Sequence, residues 1–201
     1  MHRHTIWFCP SRDRPLRSRL YWHDWIALFA VWLWLAPGGT AQAQMSHEYQ
    51  IKAVFLYNFS RFSDWPPEAF ASPEAPLVIG VLGKDPFGPY LEQAVRGETV
   101  NNRPIIIEHY RRVEEVKTVH ILFISDSETK RLPAILARLS GRSILTVSDI
   151  DNFVHNGGMV RFITINNRIQ LRINLDALKA ARLTMSSKVL RAADVISSDE
   201  K

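Results

Sequence analysis

Arg161 and Arg172 are the residues of this sequence whose spacing most plainly bears on chemistry. They lie in GGMVRFITINNRIQLRIN, residues 157–174, which reads as two strands, Met159 to Ile165 and Ile169 to Asn174, joined at an Asn-Asn turn. Asparagine tolerates the positive φ that so tight a turn requires. Side-chain alternation puts Val160, Phe162 and Thr164 beside Ile169, Leu171 and Ile173 on a core face. The same parity puts Arg161 and Arg172 together on the opposite face, with Gln170 and Asn174. Like charges across a strand pair cost about 0.2 to 1 kcal/mol, so something should answer them. Water, a carboxylate from a covering helix, or an acidic partner or anion would each do so, and the guanidinium fork suits carboxylates. Ala substitutions of either arginine are expected to leave folding nearly intact, and Arg172→Glu to weaken partner binding.

Other reactive groups are scattered. Downstream of the first 43 residues the histidines are His47, His109, His120 and His155, with no pair at i+3 or i+4 and no cysteine beside them, so no zinc-ligand pattern exists. His120 opens a strand and reads as a core or edge residue. IGVLGKDPFG (79–88) places glycines after an apolar strand, but its spacing matches neither the dinucleotide nor the P-loop pattern. Ser125, Ser127 and Ser148 stand near Asp126 and Asp149 without a G-x-S-x-G elbow, and read as strand-end and capping residues. No catalytic residues, metal or cofactor are expected.

These residues are positioned by a regular alternation of elements. SHEYQIKAVFLYNFSRFSDWPP reads as an amphipathic helix whose stripe is Ile51, Val54, Phe55, Phe59 and Phe62, stopped at Trp65-Pro66-Pro67. Asn58 falls on that stripe and is expected to lock the helix to a neighbouring loop, because an unpaired buried amide costs about 1 to 3 kcal/mol. Apolar strands follow at 77–83, 103–110, 120–125 and 143–148, separated by helices at 89–97 and 127–141, the second with Ser127 as a plausible N-cap or, on account of Pro133, with a start near Leu132. The hairpin supplies a fifth and sixth strand. LDALKAARL and SSKVLRAADVI close the chain, with Val189, Leu190, Ala193 and Ile196 along one face. The pattern predicts an α/β protein: a three-layer α/β/α sandwich with a mostly parallel sheet of about six strands, an antiparallel C-terminal hairpin at its edge, and Rossmann-like winding.

Composition separates the first residues from the rest. Of six tryptophans, five (Trp7, Trp22, Trp25, Trp32, Trp34) and the single cysteine, Cys9, precede position 35. Four arginines between positions 12 and 19, the apolar run WIALFAVWLWLA (25–36) and AQA at 41–43 have the form of a secretory signal peptide cleaved after Ala43. A transmembrane helix needs about 20 apolar residues, more than this run supplies, and an uncleaved anchor is the alternative to a cleaved leader. A start at Met45 would instead remove the leader. Taking away residues 1–43 leaves 20 basic and 18 acidic residues, a net charge of +2, on a single domain from residue 44 to 201. That charge gives no footprint for nucleic acid. With no cysteine left, the domain relies on its core rather than on disulfides.

The order of EYQIKAVFLYNFSRFSDWP, LVIGVLGKDPFG, HILFIS, GRSILTVSDIDNF and the long segment from Gly157 to Val195 resembles the YfiR-like family of periplasmic proteins. The resemblance covers Glu48 to about Val195. It implies a periplasmic α/β domain without enzymatic activity, often a homodimer, that restrains a membrane-bound diguanylate cyclase by contacting its periplasmic sensor region. It further implies release by an outer-membrane or other periplasmic partner. The alternative is a periplasmic small-molecule receptor with a pocket beside the hairpin. Many relatives carry a cysteine before the histidine of the HILFIS strand, where this chain has Val119, so disulfide control is not implied here. The family's ligand region corresponds to Arg172–Lys188, and with the hairpin face it makes Arg161, Arg172, Asn174, Ser186 and Ser187 the expected contact residues.

Overall fold

The structure, a computed structural model, describes residues 39–197. The signal-peptide expectation falls mainly on residues outside that range. Compactness divides the chain after Thr40, and the sheet and its helices, apart from the first two residues of the first helix, belong to the unit from Ala41 onward.

Helix α1 (Gly39–Phe62) comes first. Its buried face is Lys52, Ala53, Leu56, Phe59 and Ser60, whereas Val54 is 47% exposed. This corrects the stripe read from the sequence, of which Phe59 is buried outright and Val54 faces water. The helix is rotated because Lys52, which hydropathy assigns to solvent, is fully enclosed. The short β1 (Ser63–Asp64) follows and pairs antiparallel with β9 (Thr184–Met185), apart from the main sheet.

The main sheet has eight strands among the described residues, not six. In chain order they are β2 (Leu77–Leu82), β3 (Thr99–Val100), β4 (Arg103–Tyr110), β5 (Ile121–Ile124), β6 (Leu145–Ser148), β7 (Val160–Ile165), β8 (Arg168–Asn174) and β10 (Asp194–Ile196). Their spatial order is β3-β4-β2-β5-β6-β7-β8-β10. All pairs are parallel except β3·β4 and β7·β8. The hairpin is therefore not the sheet's edge, since β10 runs alongside β8. β10 falls in the segment read as the end of a helix: α5 covers only Ser187–Arg191, and backbone pairing with β8 claims the residues after it.

Helices α2 (Tyr90–Val95) and α4 (Leu175–Ala180) lie with α1 on one face, over a core that includes Leu56, Phe59, Ile79, Phe123, Val147, Phe162 and Leu178. Helix α3 (Leu132–Leu139) covers the other face with Leu122, Ile124, Ile135, Phe153 and Val154. Pro133 sits in its first turn, where the missing N–H is harmless. The result is the three-layer α/β/α arrangement. The first long strand, β2, has β4 on one side and β5 on the other, so the winding reverses between β2 and β5, where sheets of this kind leave a crevice at their carboxyl ends.

Candidate functional site

The hairpin forms in the expected register, with Arg161 opposite Arg172 and Phe162 opposite Leu171, around Asn166 and Asn167 at φ of 49° and 59°. On the arginine face, the sheet grades across its strands from Leu122 and Ile124 on β5, through Thr146 and Ser148 on β6, to Arg161 and Arg172. Each arginine meets a carboxylate of this chain. Arg161 pairs with Asp151 from the β6–β7 connection. Arg172 Nε donates to Asp194 Oδ2 at 2.7 Å, across the β8·β10 pairing. The two guanidinium groups thus sit between two carboxylates, and only the Nε of Arg161 is left buried without a partner.

The remaining expected contact residues are placed by capping. Asn174 Oδ1 accepts from Ala177 N at 2.9 Å at the start of α4, while its Nδ2 donates to the Val154 carbonyl at 3.0 Å. Ser186 Oγ accepts from Lys188 N at the start of α5, and Ser187 is exposed on the first turn of that helix. Asn58 is half-buried, and no hydrogen bond among the described residues ties its side chain to another element. The lock expected of it is supplied elsewhere on the same helix.

That lock is a charged cluster that sequence reasoning missed. Lys52 Nζ lies 2.6 Å from Glu48 Oε1 and 2.7 Å from Asp149 Oδ2, with 2% of its side chain exposed. Tyr49 Oη donates to the same Asp149 oxygen at 2.8 Å, and its ring lies under the ammonium, 4.4 Å from the centroid. Burial first, and then the Asp149 carboxylate, push the Tyr49 hydroxyl well above its ordinary range. Thr164 Oγ1 on β7 donates to Glu48, so one turn of α1 is bound to both β7 and the carboxyl end of β6. The available signal was the Glu48–Lys52 spacing of four on a helix, though Asp149 is distant in sequence and no pattern joins it to them. The Oδ1 atom of Asp149 is buried and without a partner. Beside the cluster, at the β2/β5 reversal, a cavity of about 650 Å³ is bordered by Tyr49, Lys84, Phe87, Asp126 and Ser127.

The amine and hydroxyls of this region are engaged within the fold, Ser127 Oγ also donating to Glu128 Oε1 at 3.4 Å. Lys52 is ion-paired on two sides, and Tyr49 is held in its protonated form. Ser148 Oγ donates to the Ile124 carbonyl and accepts from Ile150 N. Ser127 Oγ accepts from Lys84 N at 2.9 Å, and Ser125 caps the turn that follows it. His120 is a core residue, stacked on Phe70 at 4.2 Å, its Nδ1 accepting from Val78 N at 3.0 Å. Its desolvation lowers its pKa to about 4. Among the described residues no group of three His, Cys, Asp or Glu side chains could hold a metal ion. No helix among them is long and apolar enough to cross a membrane.

The family model described as YfiR/HmsC-like matches residues 49–194. No curated protein matches. Among solved structures, the ABC domain in complex with L-Trp from Streptococcus pneumonia is similar at 13% identity and a TM-score of 0.49, over 74% of this chain and 60% of that one. The chain therefore spans about three fifths of the length of that structure.

Proposed function

From membership of the YfiR/HmsC-like family, to which this chain belongs, we propose that it is an exported, non-enzymatic regulator that acts in the periplasm. It binds the periplasmic sensor region of a membrane-bound diguanylate cyclase and holds down cyclic di-GMP synthesis. The observation that carries this reading is the extent of the match, residues 49–194, which takes in nearly all of the unit that folds here. A repressor of this kind must bind the inactive cyclase more tightly than the active one. Moving the cyclase from 1:99 to 99:1 takes about 5.5 kcal/mol of differential affinity, and an outer-membrane or periplasmic partner that competes for the same surface would release it. Of the contact residues read from the sequence, Arg161, Asn174 and Ser186 are engaged within the fold, while Arg172, though paired with Asp194, and Ser187 keep more accessible surface and are the proposed contacts.

The test is co-purification of the tagged full chain from solubilised cell envelopes, with cyclic di-GMP measured in a deletion strain. Recovery of a membrane diguanylate cyclase together with a rise in cyclic di-GMP is the expected result. Absence of the cyclase and an unchanged nucleotide level would remove this function. A second reading, a small-molecule receptor, is favoured by a cavity of about 620 Å³ beside the end of the hairpin, bordered by Thr146, Asn156, Met159, Asn174 and Ala177. A saturable rise in melting temperature with one member of a metabolite panel would support it.

A further inference from the structure

A third cavity, of about 410 Å³, opens at the amino ends of β5 and β6, the end of the sheet opposite the Lys52 cluster. Its charged side chains are Lys117, Arg142, Arg182 and Glu68, three cations against one carboxylate. Glu68 is already bound to Arg182, at 2.5 Å from its Nη1. Arg142 is held differently: its Nη1 and Nη2 donate to the carbonyls of Val116 at 3.0 Å and Lys117 at 2.6 Å. Those bonds fix the guanidinium without neutralising it, and no carboxylate among the described residues pairs with it or with Lys117. The hydroxyls of Thr118 and Ser143 border the same space.

Arg182 contributes independently through its backbone. It follows α4 at φ 56°, with its N–H on the Lys179 carbonyl and the N–H of Leu183 on that of Leu178. This is the helix-ending motif whose left-handed position favours glycine. An arginine there is a strained choice, and strain of this sort collects where a side chain is needed for function. What the position delivers is a third cation to the cavity.

We propose that this cavity binds a phosphate group, free or as a small phosphomonoester, through Lys117, Arg142 and Arg182. The uncompensated charge of the lining is +2, matching a phosphate that carries between about −1.5 and −2 near neutral pH. A carboxylate would answer only half of it. Guanidinium groups hold phosphate by paired N–H donors, and the volume accommodates a small organic body beside the phosphate.

The test uses protein purified after expression of the full chain. Melting temperature and calorimetric affinity are measured against inorganic phosphate, glycerol 3-phosphate, and chloride at equal ionic strength. A saturable stabilisation beyond chloride is expected, stronger with the ester if an organic body is part of the ligand and stronger with inorganic phosphate if it is not. Arg182→Gly suits the left-handed backbone and Lys117→Gln lies on an exposed side chain, so both variants should fold. Each should bind at least tenfold more weakly, and the double variant should show no saturable shift. A wild-type response no larger than that to chloride, or an undiminished response in the double variant, would overturn the proposal. Neither result bears on the cyclase, whose test is co-purification.

Discussion

A lysine side chain only 2% exposed is tolerable because two carboxylates and a ring face surround the Lys52 ammonium. Removing one member of such a buried group leaves the others uncompensated, which typically costs about 3 to 5 kcal/mol. Lys52→Met should therefore lower unfolding free energy by about 3 kcal/mol in urea titration. Asp149→Asn should cost less, because Tyr49 and Glu48 still meet the remaining polar atoms. His120 carries the pH dependence. Its folded pKa of about 4 lies below the ordinary 6.5, so between those values the unfolded chain binds a proton that the folded chain does not. Stability is full above pH 6.5 and falls as pH drops towards 4, by about 3 kcal/mol in all. Denaturation at a series of pH values should show that loss, and His120→Asn, which keeps an acceptor near the Nδ1 position, should flatten it. The hairpin arginines were legible because alternation alone fixes which residues share a face. Their partners Asp151 and Asp194 were not, since one lies in an irregular connection and the other in a strand of three residues.

The strands that bury both faces announced themselves at the scale of elements. LVIGVL and ILFI are continuous apolar runs, buried throughout, and β4 occupies the expected residues 103–110. The short strands β1, β3, β9 and β10 were silent, because two or three residues show no period and their pairing is decided by the partner strand. Helix α1 was legible at its carboxyl end but neither at its start, which lies at Gly39, nor in orientation, because the enclosed Lys52 turns a different face to the core. The β6–β7 connection offers a direct check on packing. A Cβ on Gly158 would come within 2.6 Å of three ring carbons of Phe153, which is fully enclosed and cannot yield. Gly158→Ala should cost about 2 kcal/mol or more and displace the loop that presents Asp151 to Arg161, seen as a lower urea midpoint and altered amide exchange from Ile150 to Met159.

At the scale of the whole molecule, an α/β/α sandwich with a crevice at its winding reversal is a scaffold that many unrelated activities share, so the fold alone leaves function open. The family carries the functional reading, and the structure contributes the packing and pairing of the side chains that surround the hairpin and the Lys52 cluster. If Arg172 contributes to the partner surface, reversing its charge should act on association more than on stability. Arg172→Glu also places a carboxylate beside Asp194, so the comparison with Arg172→Ala is needed: both should fold, and the Glu variant should release the partner at lower salt. The most direct measurement is binding of the purified protein to the isolated periplasmic region of the co-purified cyclase, followed by cyclase activity in reconstituted membranes. Saturable binding with a matching fall in cyclic di-GMP formation is the predicted result. Binding with no change in activity, or no binding at all, would contradict the account.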